Sequence, residues 1–532
     1  MFLCLRHFVY FISRMNSSQL IEIRRQREIS AGNFLTTSGT IRQTGISKSN
    51  ATSGDIIGGA IQIFSKGQII DANILPGTNI NINIAKPQLT PQQIALQLYE
   101  DLLNYIKTTG KGPTITARLI YIWTFTAASA WQSIQPAGTE KLITGIHDQW
   151  NWDWRVSYTG NASDWLCQTL APAMSSFLPG YSSSLAQNPD NSWRPLWQTW
   201  FNARQADGSS TLPSPTISDL SNINLQIDPT VSGLPDTINM NQWTPLYVNN
   251  KKQAYVTFAW GTIRSTCLTN MDELSIYTQA DSVYPTESQR QTEVTSVKNM
   301  TQTLTDSQKM SAEFWAGGPG TATPPGALSW FWAEYCRQNE LPDRVFFLSG
   351  LDLGIHLFEG SRVTWKLKSK HVQARPIQEI RNRFANTIIT MWNGIRSFGA
   401  NWTPYQESSF VTPAFADFPS GHSHFSATFA EVMKKWFGST ITSLPTRRLD
   451  FLSPILQNGS SLVASIGSSI IQPGVVPSSE NTFNWSTWDD LATDAGMSRL
   501  YGGIHCISAH IGSQNAAREA HMLIENSWNF SV

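Results

Sequence analysis

Three separated segments of the sequence carry residues that could jointly hold an anion. Lys368 is followed six residues later by Arg375-Pro376. Pro419-Ser420-Gly421-His422 forms the second segment. Ser498-Arg499, then five residues, then His505 forms the third. Together they offer three cations, two imidazoles, a hydroxyl and a glycine amide. That donor set suits a tetrahedral oxyanion such as phosphate or vanadate.

Each segment has a physical reading of its own. Lys368 and Arg375 lie about two helical turns apart, so one helix would project both from nearly the same face. Pro376 is expected to end that helix just after Arg375. Alone, Lys366, Lys368, Lys370, His371 and Arg375 read as a solvated basic face. After His422, the residues Phe425, Phe429, Val432, Met433 and Trp436 recur at helical spacing, which predicts an amphipathic helix starting at the motif. Its N-terminus would present unpaired amides and the positive end of a dipole. Gly421 allows close backbone approach. The Ser420 hydroxyl can donate to the anion, and His422 would stand beside it as an acid/base group.

Arg499 offers a planar fork that matches an oxyanion. Arg499 and His505 would not share a face of a straight helix, so either the chain breaks at Gly502-Gly503 or the ligand lies across the face. A histidine in an apolar stretch is more often a packed core residue, and His424, His510 and His521 are read that way. The joint occurrence of the three segments, in this order and spacing, carries the argument.

The elements that must position these groups are mostly helical. Helical spacing predicts helices over Pro91–Lys107, Thr114–Trp131, Ala312–Trp315, Trp330–Gln338, Asp343–Arg362 and Ile377–Ile395. Residues 150–250 and 438–485 read as loop-rich. Ala60–Phe64 and Ile80–Ile84 alternate like short strands. The expected organisation is an N-terminal arm over 1–94, partly disordered or in short strands. A helical domain follows over 95–532, with the active site within 310–532.

The pattern Lys-x6-Arg-Pro, Pro-Ser-Gly-His, Ser-Arg-x5-His resembles that of the vanadium-dependent haloperoxidases. These share a superfamily with type-2 phosphatidic acid phosphatases and bacterial acid phosphatases. Ala312-Glu313-Phe314-Trp315, the turn-rich Gly317–Gly326 and Ser498–His505 are similar to the bacterial haloperoxidase-like branch. The resemblance implies a mainly α fold of the haloperoxidase helical-bundle type, often two four-helix bundles, with long loops. It implies vanadate as cofactor, bonded through His505 as the metal ligand, with phosphate as a competing anion. Lys368, Arg375 and Arg499 would neutralise the oxyanion, Ser420 and Gly421 would hydrogen-bond it, and His422 would move protons. Hydrogen peroxide and halide are the implied substrates, with a small organic acceptor. Trp365 and Phe415 occupy the places that line the halide region, and Phe415 resembles the chloroperoxidase choice. Many members carry an Asp four residues after the last histidine. Here that place is Ala509, so a backbone carbonyl or Ser508 is the expected substitute. Two other readings stay open on the same residues: a phosphoesterase working through a phosphohistidine at His505, and an inactive structural homologue.

Composition narrows the rest. The 532 residues carry 38 basic and 38 acidic side chains. This balance offers nothing to nucleic acid or to an anionic membrane surface. The 21 Trp and 25 Phe suit a large buried core. Five scattered cysteines without a CxxC argue against a zinc cluster or disulfide framework, and Cys506 reads as a small packing residue. No run is long and apolar enough for a membrane span. A soluble protein is expected, with the cytoplasm favoured, secretion left open, and a homo-oligomer open.

Overall fold

The computed structural model describes residues 39–44, 59–65, 68–74, 89–135, 144–145, 156–186, 188–212, 239–249, 251–446, 453, 455–456 and 462–529. The chain divides into two units, Met1–Gln88 and Leu89–Val532. In the first, β1 (Gly39–Thr44), β2 (Gly59–Ser65) and β3 (Gln68–Ile74) form an antiparallel sheet in that order. Ala60–Phe64 lies in β2 as its alternation predicts. Ile80–Ile84 lies outside the described residues.

The second unit is helical. Its helices are α1 (Pro91–Thr109), α2 (Pro113–Ser133), α3 (Ala162–Phe177), α4 (Arg194–Gln205), α5 (Asn270–Asp281), α6 (Glu287–Gln302) and α7 (Asp306–Phe314). They continue with α8 (Thr323–Gln338), α9 (Asp343–His371), α10 (Pro376–Arg383), α11 (Gly421–Phe437), α12 (Trp488–Tyr501) and α13 (Ile507–Ser527). The mainly α class therefore holds. Within residues 150–250, expected to be loops, α3 and α4 are corrections. Tryptophans anchor both helices: Trp165, Trp197 and Trp200 are fully buried.

The long helix α9 organises the unit. It packs against α2 and also against α11 and α13. Glycines inside a helix are costly, and here they permit close contact. A Cβ at Gly354 would collide with the Thr124 hydroxyl of α2, and one at Gly360 would sit 2.7 Å from His424 Nε2 of α11. Helix α2 is buried on all faces, and its one charged side chain, Arg118, pairs with Asp207. Helix α11 buries Phe425, Phe429, Val432 and Met433, as its spacing predicts.

Several helix boundaries differ from expectation, and α7 and α8 begin earlier, at Asp306 and Thr323. Helix α9 does not run to Arg375. It ends at His371, where Val372 adopts a left-handed φ of 44°. Pro376 starts α10 rather than ending α9, since its missing N–H costs nothing at the first helical position. The helix expected over Ile377–Ile395 stops at Arg383. Ile388–Thr390 and Arg396–Phe398 then pair as a hairpin, because Asn393-Gly394 supplies turn chemistry and Gly394 takes a φ of 80°. Residues 438–485 are irregular where described, apart from a two-residue pair, Val463–Ala464 with Asn481–Thr482.

Candidate functional site

Lys368 lies in the last turn of α9, and Arg375 is the N-cap of α10. They come from two elements, not one helical face, yet both are almost fully buried. The basic-face reading of this run is therefore wrong for these two side chains. Lys368 Nζ donates to the carbonyls of Ala416 (2.7 Å) and Asp417 (3.2 Å). Arg375 Nε donates to Phe415 O and Nη1 to Ile504 O, each at 2.7 Å. These bonds fix both cations against the loop that carries the second segment.

Ser420 caps α11, and its hydroxyl accepts from Ser423 N at 3.4 Å. The hydroxyl hydrogen is left to donate elsewhere. Gly421 opens the helix, and His422 follows in its first turn. His422 Nε2 lies 2.8 Å from Trp315 O. A carbonyl only accepts, so Nε2 carries the hydrogen and Nδ1 keeps the lone pair. Burial, then the charge of Arg499 and the His505 ring, hold this imidazole well below its ordinary pKa. It is a neutral base at pH 7.

The third segment breaks where its glycines stand. Helix α12 ends at Tyr501, Gly503 takes a φ of 70°, and His505 lies in the short link before α13. That break sets His505 against Arg375 and Asp417. Arg499 is fully buried; its Nε donates to Ser498 Oγ at 2.9 Å and its Nη2 to Ala312 O. Ser498 Oγ in turn donates to Ala495 O. Ser498 thus orients the arginine from within the helix.

His505 has a carboxylate behind it after all. Its Nδ1 hydrogen-bonds Asp417 Oδ1, while Arg375 Nη1 lies 3.0 Å from its Nε2. Arg375 can only donate, so Nε2 bears the lone pair and Nδ1–H points at the carboxylate. The expected substitutes are not used: Ser508 donates to Glu293 at 2.7 Å instead. The other Asp417 oxygen takes Arg290 Nη1 at 2.7 Å, and Arg290 Nε meets Glu379 Oε1 at 2.7 Å. Burial alone would raise the Asp417 pKa. Arg290, His505 and Arg375 outweigh it and hold the group well below the carboxylate range. Burial and the Arg375 charge bring His505 down to about 3 against the opposing pull of Asp417.

Trp365 and Phe415 flank the lysine. Their rings are 5.1 Å apart, and Lys368 Nζ lies 4.9 Å from the Phe415 ring centre. Arg375 stacks on the same ring at 4.9 Å. On the His422 side, the Gly317-Gly318 turn borders a cavity of about 270 Å³, lined also by Gln406, Phe410 and Ile470. A Cβ on Gly317 would stand 3.3 Å from His422 Nε2.

An oxyanion fits this donor set. Arg375 Nη2 and Arg499 Nη1 are buried without a hydrogen-bond partner. An orphaned guanidinium N–H costs several kcal/mol unless an acceptor fills the space, on the order of 1–3 kcal/mol for a neutral group and more for a charged one. Burial brings Arg375 down to about 10, with Arg290 adding repulsion against the pull of Asp417. Burial and then the Arg375 charge bring Arg499 to about 9 and Lys368 well below the lysine range. Added negative charge relieves that strain. Cys506, beside His505, is buried in an apolar cluster with Ile377 and Trp402, and burial holds its thiol up. It is a packing residue.

Comparison with known proteins agrees with this arrangement at the level of fold. Residues 351–525 match the family model described as the VCPO second helical-bundle domain. No curated protein gives a match. The apo form of a bacterial vanadium-dependent chloroperoxidase superposes with a TM-score of 0.54 at 14% identity, covering 82% of this chain and 95% of that one. Its holo form gives 0.53 at 14%, covering 85% and 95%. A bacterial vanadium-dependent iodoperoxidase gives 0.54 at 15%, covering 85% and 97%. The resemblance to the vanadium haloperoxidase family is borne out, and the helical fold is that of these enzymes. No helix among the described residues is long and apolar enough to cross a membrane.

Proposed function

We propose that the chain is a vanadate-dependent haloperoxidase, oxidising halide with hydrogen peroxide and a proton to hypohalous acid and water. The observation that carries this reading is the pair of buried, unpartnered guanidinium N–H groups, Arg375 Nη2 and Arg499 Nη1, together with a carboxylate-backed His505 whose lone-pair nitrogen lies 3.0 Å from Arg375 Nη1. Lys368, Arg375, Arg499, Ser420 and the Gly421 amide would hold vanadate, with His505 Nε2 as its ligand. When bound, vanadate supplies Lewis-acid activation of peroxide without changing its own redox state.

The chain's own residues do the rest. The three cations neutralise charge in a water-poor pocket, where preorganised donors act most strongly. Asp417 fixes the His505 tautomer so that Nε2 faces the anion. His422 Nδ1 takes the proton that peroxide must lose and can return it to the departing water. Trp365 and Phe415 offer the halide an apolar wall beside the lysine charge. The cavity next to Gly317 and Gly318 has room for peroxide and for a small organic acceptor.

The competing reading is phosphoryl transfer, because phosphate shares the geometry of vanadate and His505 Nε2 is a usable nucleophile. A halogenation assay on monochlorodimedone, run with added vanadate, added phosphate or neither, separates the two. Vanadate-dependent bromination, with weaker chlorination at acidic pH and competition by phosphate, supports the peroxidase. Fast aryl-phosphate turnover without vanadate-dependent halogenation supports the phosphoesterase. Anion binding with neither activity supports an inactive homologue.

A further inference from the structure

A second cluster of ligating side chains lies apart from the anion site. His356 sits in α9, twelve residues before Lys368 and so about 18 Å along the helix. His521 and Glu525 are four residues apart on α13 and share a face. His356 Nε2 and His521 Nδ1 face each other at 3.0 Å, and Glu525 Oε1 lies 3.6 Å from His356 Nε2. One nitrogen from each ring and one carboxylate oxygen all fall within 4.8 Å of one another.

We propose that His356, His521 and Glu525 form a divalent transition-metal site of the zinc class, which ties the C-terminal helix α13 to the central helix α9. Four-coordinate zinc has bonds of about 2.0–2.1 Å to His and carboxylate, which places tetrahedral ligand atoms about 3.3 Å apart. Two of the three separations, 3.0 and 3.6 Å, bracket that value, and all three lie within 4.8 Å. The donor set of two imidazoles and one carboxylate is among those that suit zinc and its first-row neighbours.

The surroundings orient the ligands. His356 Nδ1 lies 2.8 Å from the Asp352 carbonyl and 2.9 Å from its carboxylate. The carbonyl only accepts, so Nδ1 holds the hydrogen and Nε2 can present its lone pair to the centre of the cluster. A carboxylate behind a histidine is the usual support of a metal-ligating imidazole. Lys435, from α11, donates to Asp352 Oδ2 at 2.9 Å and to Glu525 Oε2 at 2.5 Å. Trp436 Nε1 adds a bond to Asp352 Oδ2 at 2.7 Å. Lys435 thus occupies one oxygen of Glu525 and leaves Oε1 to face the imidazoles, buried and without a hydrogen-bond partner. Two carboxylates against one ammonium leave a net negative charge when the imidazoles are neutral. A divalent cation compensates it. Glu525 and His521 are partly exposed, so the site opens to solvent and water can complete the coordination.

The test uses the full chain, stripped with a chelator and titrated with Zn²⁺ by calorimetry and with Co²⁺ by visible absorption. One equivalent of zinc, and a Co²⁺ spectrum of tetrahedral or five-coordinate type, is the expected result. Both must vanish in His521→Ala and in Glu525→Gln, while vanadate-dependent turnover stays as in the parent. Zinc should raise the Tm of the parent by several degrees at a hundredfold excess over Kd, and leave the variants unmoved. Glu525→Gln keeps the side-chain shape, so it guards against a folding defect in the histidine variant. No binding at millimolar zinc, or binding that survives both substitutions, overturns the proposal and leaves His356 and His521 as a hydrogen-bonded pair.

Discussion

Asp417 stands behind His505: its Oδ1 hydrogen-bonds Nδ1 of the ring, while its Oδ2 is held by the buried Arg290. The carboxylate comes from the loop that leads into Pro419-Ser420-Gly421-His422, and so one segment of the site orients the ligand of another. Ala509 thus does not leave the His505 imidazole without a carboxylate behind it, because a different element supplies one.

Asp417→Asn should therefore weaken vanadate binding by about 10- to 100-fold, the usual cost of removing the group behind a metal-ligating histidine. The amide keeps shape and one acceptor but not the charge. Asp417→Ala should in addition destabilise the fold by about 3–5 kcal/mol, because the buried Arg290 and the His505 Nδ1–H lose their shared acceptor. Vanadate titration of halide oxidation reads the first effect and denaturant unfolding the second. Unchanged vanadate affinity in the Asn variant would remove Asp417 from the site.

The two histidines should fail differently. His505→Ala is expected to lose vanadate and all turnover with the fold kept. His422→Ala should still bind vanadate but lose about two to four orders of magnitude in rate, the range of general acid/base catalysis. Vanadium content of the purified variants, set against their halogenation rates over pH 5 to 8, makes the distinction. Stoichiometric vanadium in His505→Ala would exclude it as the ligand.

Much of this site is legible in the sequence, and the remainder is hidden for a physical reason. Motif spacing identifies Lys368, Arg375, Ser420, His422, Arg499 and His505, and the structure gathers them. It does not reveal that Lys368 and Arg375 sit on different elements, since Val372 has no residue-type signal for a left-handed turn. Asp417 is 88 residues from His505, and a hydrogen bond across that distance has no local pattern. One signal was available: a single carboxylate within the apolar run Pro413–Pro419 needs a buried cation or imidazole as partner. Arg290 and Glu379 give no comparable cue. Glu379 lies in a stretch read only by its apolar spacing, and the largely polar α6 that carries Arg290 is not among the helices that spacing predicts. The hairpin after α10 has its cue in Asn393-Gly394, which the helix expected over Ile377–Ile395 overlooks.

Arg499→Lys should weaken vanadate binding by about tenfold or more, although charge is kept. The fork that reaches Ser498 and Ala312 while leaving Nη1 for the anion cannot be reproduced by one ammonium. The same substitution should weaken phosphate as an inhibitor in parallel. Competition curves for the two anions on the same preparation check this. A loss confined to one anion would mean that they do not share Arg499.

Acid should unfold the anion-free protein well before its carboxylates are protonated. His424 is buried with neither nitrogen hydrogen-bonded, and burial brings its pKa from 6.5 to about 3. His510, whose Nδ1 meets Ser423 Oγ at 2.8 Å, is brought down to about 4 by burial and then by Arg518. For such groups the folded state refuses a proton that the unfolded chain accepts. Stability is fully present above pH 6.5 and falls as pH drops toward the folded value, by about 1.4 kcal/mol per pH unit for each group. His356 works in the opposite sense: burial lowers its pKa, but Asp352 more than offsets this and the net shift is upward. It favours the fold at low pH, yet it is one group against several. Tm measured from pH 7.5 to 4 should decline steadily below about 6.5. His510→Gln, which can still bond Ser423 and cannot titrate, should flatten the slope. A Tm that holds level down to pH 4.5 in the parent would show that these imidazoles are not kept neutral by the fold.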